Sequence, residues 1–526
     1  MVSPSTSRLL TRIALGAGVC AGFALWLSAP DTSLQLLANT VGVSVGAAAL
    51  AVPLGTILAI LLGRTRVWGG KLAFTLLATL LFLPLQAQLG GWDAAFGKLG
   101  WQTLAYHQTA QPLLAGMPAV IWIHAMASIA WVTLIVGVGL MSVPREQQEA
   151  ALLETSPLGV LITIDLPHLF PWIAVTTLFV MITTAGEMTV TNIYLVRTYV
   201  EELYNSMARG TDAAVSGVQL LPTMTATVCL VLLSLSAVLR LAPGNQLLRW
   251  REPIVLSSRL LGLTSTLVVW CVLLLVAGVP LASLVYKAGF VVEQVGEERV
   301  RGWSAPALLG LLVTTPKRFA PEFAWSVVFA ALAATLALVI AIPLALLARR
   351  GGSRSLPALF VAALGWGLPG PLVGLGIIWL LNWNVAPLIW LYDKTPFPPA
   401  LAQCVKALPG TILVVWYAFR SIHERVLENA QLDGAGNLSL LLRVLMPQST
   451  SALAAAWLIA FAIGMGDLAW SILVLPPGKE SIARRMFELL HYGVEEQVAA
   501  ISLVITLQFA LLAGVVRWLL LRPKPT

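Results

Sequence analysis

Charge is scarce in this 526-residue sequence: Asp, Glu, Lys and Arg make up 11 % of it, against about 25 % in a soluble domain. That scarcity excludes a disordered chain, a nucleic-acid-binding domain and an ordinary soluble enzyme. Histidine (five residues) and cysteine (four) are also few. Cys20, Cys229, Cys271 and Cys404 sit in or beside apolar runs without metal-ligand spacing, so they read as small packing residues and no metal site is expected. No Gly-x-x-x-x-Gly-Lys-Ser/Thr phosphate loop occurs; Gly478-Lys479-Glu480 lacks its spacing. There is no His-Glu-x-x-His zinc motif, no serine-nucleophile elbow, no dinucleotide fingerprint and no cysteine–histidine cluster. The chain is therefore not expected to be an enzyme, nor to bind a cofactor itself.

What is present is apolar sequence. Hydrophobic residues make up 58 % of the chain and the mean hydropathy is +0.86, which makes lipid the expected solvent. A helix needs about 20 apolar residues to cross a bilayer. Twelve such stretches can be marked, at about 13–29, 36–62, 72–90, 117–140, 170–190, 216–240, 262–286, 324–348, 357–381, 400–419, 452–474 and 497–516. The third is interrupted by Pro84, and the tenth holds Lys406 and Pro409. The basic start Arg8 to Arg12 before the first stretch resembles a signal peptide, but the small-residue cleavage pattern is weak and an uncleaved span is expected.

The net charge of +8 is a topology signal, because its carriers lie in clusters between the apolar runs. With the N-terminus inside, nineteen Lys and Arg fall on inner segments and twelve on outer ones. Both termini are thus expected on the cytoplasmic side of a plasma (inner) membrane. The chain also repeats, each half having one leading span and five more, with a long inner loop between its fourth and fifth spans. Six is even, so the halves run parallel. The expected fold is an all-α integral membrane protein, a parallel duplication of two six-helix halves. Residues 1–245 form the first half (core about 36–240, inner loop 144–168) and 246–526 the second (core about 323–520, inner loop 420–448). The segment Arg240–Arg259 is the linker.

The two inner loops carry the most information. The first runs from Pro144 through Glu149-Ala150-Ala151-Leu152-Leu153-Glu154 and Ser156-Pro157 to Asp165-Leu166-Pro167. The second runs from Glu428-Asn429-Ala430 through Asp433-Gly434-Ala435-Gly436 to Leu445-Met446-Pro447. Sequence such as Glu-Ala-Ala-Leu-Leu-Glu favours helix, glycine after it can take the left-handed conformation that ends a helix, and proline can start the next one. Each loop therefore reads as a short helix, a tight turn and a re-entering helix.

These loops resemble the EAA loops of ABC importer permeases, in which the short helix docks into a groove on a cytoplasmic ATPase. The second matches at Glu428, Ala430, Asp433, Gly434, Ala435 and Pro447. The first keeps Glu149, Ala150, Ala151, Ser156 and Pro167 but lacks one residue where the glycine belongs. The resemblance implies a type I ABC importer-like fold with two copies of an ABC ATPase subunit as partner, which binds ATP and Mg. It also implies an external or periplasmic substrate-binding protein. The outer segment Leu475-Pro476-Pro477-Gly478 to Arg484-Arg485, with His491-Tyr492-Gly493, resembles permeases of the iron(III)/thiamine/polyamine group, iron(III)-type members most. Its first-half counterpart, Glu201 to Asn205, matches loosely. Ferric iron is thus the expected substrate, with thiamine or a polyamine as the alternative. Arg484 and Arg485 are either a solvated face or a contact for an acidic lobe of the binding protein.

Glu187 and Asp467 lie near the ends of the fifth and eleventh spans, 280 residues apart, as are Pro167 and Pro447. A carboxylate at membrane depth costs about 2.5–3.5 kcal/mol on insertion scales and usually faces a bundle interior or a path. The pair is either part of a gate or cation route, or two local caps. Lys406 is expected to snorkel outward rather than pair with a carboxylate, and His124 to be a packing residue. Two rival functions stand beside the importer. A gradient-driven secondary transporter shares the duplication, but the loop Gly63 to Gly70 lacks its Gly-x-x-x-Asp-Arg element. An intramembrane enzyme would have only Glu187 and Asp467 to work with.

Overall fold

Three prolines explain much of how this chain bends. In each case the helix widens to a π turn that ends two residues before the proline: Leu161–Asp165 before Pro167, Leu274–Gly278 before Pro280, and Leu441–Leu445 before Pro447. The N–H groups of Leu166, Val279 and Met446 reach back five residues, to Leu161, Leu274 and Leu441. A proline ring collides with the carbonyl four residues earlier and supplies no N–H. Widening the ladder by one residue relieves both problems; the helix runs on past Pro167 and Pro280, while the one with Pro447 ends at Gln448.

The structure, a computed structural model, describes residues 31–98, 100–106, 112–209, 259–295 and 298–521. The expected spans at 13–29 and 216–240, Cys20, Cys229, the boundary at 245/246 and the linker up to residue 258 lie outside the described residues. The described part is mostly helical. Seven helices are long and apolar enough to cross a membrane, and up to ten if each of three bent pairs counts as one span. One of those pairs, Gly70–Phe82 with the helix from Leu85, is bent by 105° at Pro84. An antiparallel hairpin, Phe290–Val295 with Glu298–Trp303, departs from an all-α reading. Its sequence, Phe-Val-Val-Glu-Gln-Val, is rich in the β-branched residues that favour strands.

The chain divides into two compact units, and chain order does not separate them. The first comprises residues 1–64, 116–256 and 366–375; the second comprises 65–115, 257–365 and 376–526. In the first, the helix Asp31–Arg64 lies along Gly116–Met141 and Leu166–Ala185. Their seam is closed by small residues. A Cβ on Gly55 would stand 2.5 Å from Val132 and 3.0 Å from the Ile129 carbonyl, and one on Gly139 would stand 2.6 Å from the Trp172 ring. Without a hydrophobic drive between helices in lipid, such close approach supplies the packing. Gly55→Leu is therefore expected to destabilise the first unit by about 1–3 kcal/mol through overpacking. Thermal unfolding of the detergent-solubilised protein reads this, and an unchanged midpoint would remove the seam from the account.

The second unit is built on Ala320–Arg349, packed against Phe397–Arg420 and Thr450–Met465, with Leu261–Ala288 and Glu495–Leu521 beside them. Its central helix buries a line of alanines, Ala330, Ala333, Ala334, Ala337, Ala341 and Ala345, with no exposed surface. Cys404 is buried in this unit as a small packing residue, whereas Cys271 is exposed on its helix.

Candidate functional site

The two matched loops, residues 144–168 and 420–448, build the same object by different means. The helix Arg145–Glu154 starts after Pro144, and Glu424–Leu432 starts after His423, whose ring accepts the Arg425 N–H. Each buries a single residue, Gln148 in one and Leu427 in the other, immediately before Glu149 and Glu428. Glu149 is exposed and bridged to Arg145 at 2.7 Å; Glu428 is also exposed, as are Ala150 and Asp433, while Ala151 and Ala430 are half-buried.

The turns differ. Gly434 has φ +85°. Its N–H bonds to the Gln431 carbonyl and the Ala435 N–H to that of Ala430, both at 2.9 Å, which is a Schellman closure. The first loop has no left-handed residue in its turn. Thr155 and Ser156 are extended, and the Ser156 hydroxyl accepts the Gly159 N–H as an N-cap with Pro157 at the first helical position. The first loop, which lacks the glycine, closes through this extended turn and its Ser156 cap instead. In both loops the re-entering helix starts before Pro167 and Pro447, at Pro157 and Asn437, and continues through a π turn. The expectation that these later prolines start that helix is thereby corrected: the ladder absorbs Pro167, whereas after Pro447 the helix ends at Gln448 and resumes at Thr450 with an 80° bend.

The first loop is fastened by a buried polar cluster that sequence reading missed. Arg64, in the last turn of its helix, forks onto Asp165 with Nε–Oδ2 3.1 Å and Nη2–Oδ1 3.0 Å, both side chains 3 % exposed. Gln148 Nε2 donates to Asp165 Oδ1 at 2.6 Å. The inner helix, the π turn and the leading helix are thus tied at one carboxylate. In the second unit the matching positions are apolar: Leu427 and Leu445 are buried. There Arg349, at the end of its own leading helix, donates to the carbonyls of Phe419 (2.9 Å) and Ile422 (3.1 Å).

A second feature is legible only when the loops are overlaid. Leu153 and Leu432, each four residues after its glutamate, are 89 % and 85 % exposed, and Leu158 and Leu438 are 63 % and 68 % exposed. Each loop thus presents two leucines beside an exposed glutamate.

At the ends of these membrane helices away from the loops, the acidic residues are local caps with a basic partner. Glu187 accepts the N–H groups of Thr189 (2.7 Å) and Val190 (3.0 Å), with His124 Nε2 at 3.7 Å from Oε2. Asp467 accepts the Ser471 N–H at 3.1 Å and is paired with Lys406 at 3.0 Å. Lys406 therefore pairs rather than only snorkelling: a fully buried carboxylate one helix away outweighs the pull of the interface. His124 likewise faces a carboxylate rather than apolar neighbours alone.

Arg484 and Arg485 share Glu488, at 3.1 and 3.4 Å, on the helix Ile482–His491. Arg485 also lies over the Phe319 ring, 5.8 Å from its centre. The helix Tyr199–Ala208 is docked in the same way in its own unit. The Tyr199 N–H donates to the Thr40 hydroxyl at 3.0 Å, as the Ile482 N–H donates to that of Ser326 at 2.8 Å. The loose sequence match between these segments thus hides a matched attachment. Glu201 and Glu202 occupy the places of the two arginines. Burial pushes the Glu201 carboxyl above its ordinary range, while hydrogen bonds from Arg197 hold Glu202 below it. Among the described residues no group of three or more metal-ligating side chains occurs.

These features define a multi-pass integral membrane protein with two matched loops. Its relatives are permeases. Over 98 residues the chain is 26 % identical to the spermidine/putrescine transport system permease protein PotC of Escherichia coli (strain K12), covering 19 % of this chain and 37 % of that protein. It is 29 % identical over 112 residues to PotC of Haemophilus influenzae, 21 % and 44 % of the two chains. It is 25 % identical over 201 residues to the putrescine transport system permease protein PotI of Escherichia coli (strain K12), 37 % and 70 %. The matched stretch thus spans less than half the length of these PotC relatives. No family model matches the chain.

Proposed function

We propose that this chain is the permease of an ATP-driven ABC importer that moves a polyamine inward across the plasma (inner) membrane. In this reading it has about twelve spans in two parallel six-helix halves, with both termini cytoplasmic. Two ATPase subunits, carrying ATP and Mg, dock on the two inner loops, and an external or periplasmic binding protein delivers the substrate. The observation that supports this most is the repeated loop. Two short helices expose a glutamate and a leucine at matched positions, a second exposed leucine follows each turn, and each helix is joined through that turn and a π turn to a membrane helix. An exposed apolar pair rimmed by charge favours docking into a groove on a partner. The continuous helix from Pro157 to Ala185 would carry the motion of the first docked helix into the membrane, and in the second loop the segment Asn437–Gln448 would pass it to Thr450–Met465 across an 80° bend at Ser449.

The relatives named above, permeases for spermidine and putrescine, favour a polyamine over ferric iron. The coupling residues in this reading are Glu149, Ala150, Ala151 and Pro167 in the first loop, and Glu428, Ala430, Asp433, Gly434 and Pro447 in the second. Arg484 and Arg485 are the proposed contacts for the binding protein.

The test is purification of the tagged protein from native membranes in mild detergent, with quantification of co-purifying ATPase. About two copies per permease are expected. Glu149→Ala with Glu428→Ala, or Leu153→Asp with Leu432→Asp, should reduce this at least tenfold at equal permease level. Absence of any ATPase, together with uptake driven by an ion gradient, would transfer the assignment to a secondary transporter.

A further inference from the structure

The Lys406–Asp467 pair has features that a purely structural ion pair does not need. The Asp467 side chain is fully buried, but that of Lys406 is 35 % exposed. The pair is therefore open on its ammonium side. Asp467 Oδ2 is committed to the Ser471 backbone N–H. Among the described residues Oδ1 holds only the Lys406 Nζ, at 3.0 Å. One oxygen is fixed by the fold and the other by a group that can swing away.

Neutral acceptors lie on the elements that meet at this pair. Gln403, one turn before Lys406 on the same helix, is 1 % exposed, and its Oε1 is buried without a hydrogen-bond partner among the described residues. It faces Gly464, where a Cβ would stand 3.1 Å from that oxygen. The glycine, three residues before Asp467, leaves room beside the amide. The Ser471 hydroxyl is likewise buried and unpartnered. So is Gln86 Oε1, two residues after Pro84, which abuts Gly466. A buried acceptor left unmade carries its full desolvation cost. An ammonium carries three donors, enough to satisfy a carboxylate oxygen and two such acceptors at once. The matched place in the first unit lacks this character. Both Glu187 oxygens accept backbone N–H groups, and its partner is the buried ring of His124.

We propose that Asp467, Gln403 and Ser471 form a binding site for a primary alkylammonium group, and that Lys406 occupies it as a resident surrogate until a substrate ammonium displaces it. A lysine side chain ends in the same chemical group as a diamine such as putrescine, so the carboxylate that accepts one accepts the other. The ligand class rests on the polyamine reading above; the displaceable lysine rests on the geometry alone. The surrogate lowers apparent affinity by the fraction of time it holds Asp467, which suits a site that must release its cargo inward.

The experiment is equilibrium binding of radiolabelled putrescine to the purified full-length permease, without binding protein or ATPase. Lys406→Gln and Lys406→Met are each expected to lower the half-saturating concentration about tenfold relative to the wild type. Adding Asp467→Asn should abolish the gain, and neither 1,4-butanediol nor ferric citrate should compete. Variants that elute as folded protein yet bind as the wild type does would overturn the proposal, as would a gain that survives Asp467→Asn. A second measurement needs no variant. With acetic anhydride in excess over total amine, saturating putrescine should raise acetylation of Lys406 about tenfold relative to that of the exposed Lys98 by mass spectrometry, and an unchanged ratio would equally overturn the surrogate. Putrescine binding without any co-purifying ATPase would keep this site while removing the importer. A full ATPase complement without the binding gain would do the reverse.

Discussion

Asp165→Leu alone is expected to destabilise the first unit by about 3–5 kcal/mol, because it leaves the Arg64 guanidinium buried without its counter-charge. The same position in the second unit is already a leucine, Leu445, so the side chain's shape is not the difficulty. The loss comes from the partner left behind. Arg64 is 3 % exposed, and beside Asp165 it reaches the Leu140 carbonyl, at 3.4 Å. Replacing the whole cluster, with Arg64→Met, Gln148→Leu and Asp165→Leu together, should recover most of the stability, since well-packed apolar groups often replace a buried ion pair at little cost. Thermal unfolding in detergent separates the two cases. If the single and triple variants unfold together, the carboxylate does not hold the loop.

Gly434→Val should have the largest effect on transport of any single change in the loops. At φ +85° a β-branched residue is strained by at least about 1–2 kcal/mol. The strain falls on the two hydrogen bonds that set the direction of the inner helix. In the proposed importer, ATPase binding and ATP hydrolysis should persist while uptake falls at least tenfold, measured in proteoliposomes at equal protein. Uptake equal to the wild type would mean that the turn does not carry the coupling. No glycine performs this duty in the first loop. Its equivalent is the Ser156 cap, where Ser156→Ala should cost only about 1 kcal/mol and change uptake little.

The difference between those two loops shows what can be read from one-dimensional sequence. Local chemistry was legible. Helix-forming runs, a glycine at a turn and apolar stretches of spanning length each act within a few residues. The π turns follow from prolines in plain view, although the prolines alone suggest helix starts. Arg64, Gln148 and Asp165 were not legible as a set, because Arg64 and Asp165 are 101 residues apart and nothing near either marks the other. Lys406 looked like a snorkelling lysine for the same reason: its partner is 61 residues away on another helix. The exposed leucines 153 and 432 did leave a signal, their matched offset from Glu149 and Glu428. A leucine in a polar loop is easily assigned to a core until its exposure is known. The hairpin from Phe290 to Trp303 was hidden by its length, since six-residue strands contribute little to a hydropathy profile tuned to spans.

The line of alanines along Ala320–Arg349 bears on how the second unit could change shape. A methyl group has no rotamers, so an alanine surface looks nearly the same to its neighbours after a small slide or roll. Helices interlocked through leucine or phenylalanine would have to unseat and reseat each side chain, meeting a barrier at every step. Along Ala330 to Ala345 the helices Phe397–Arg420 and Thr450–Met465 meet a smooth rail instead. Movement along it costs little side-chain order, and the intermediate positions need not open voids. A moving part in this unit can thus be rigid within each helix and lubricated between them.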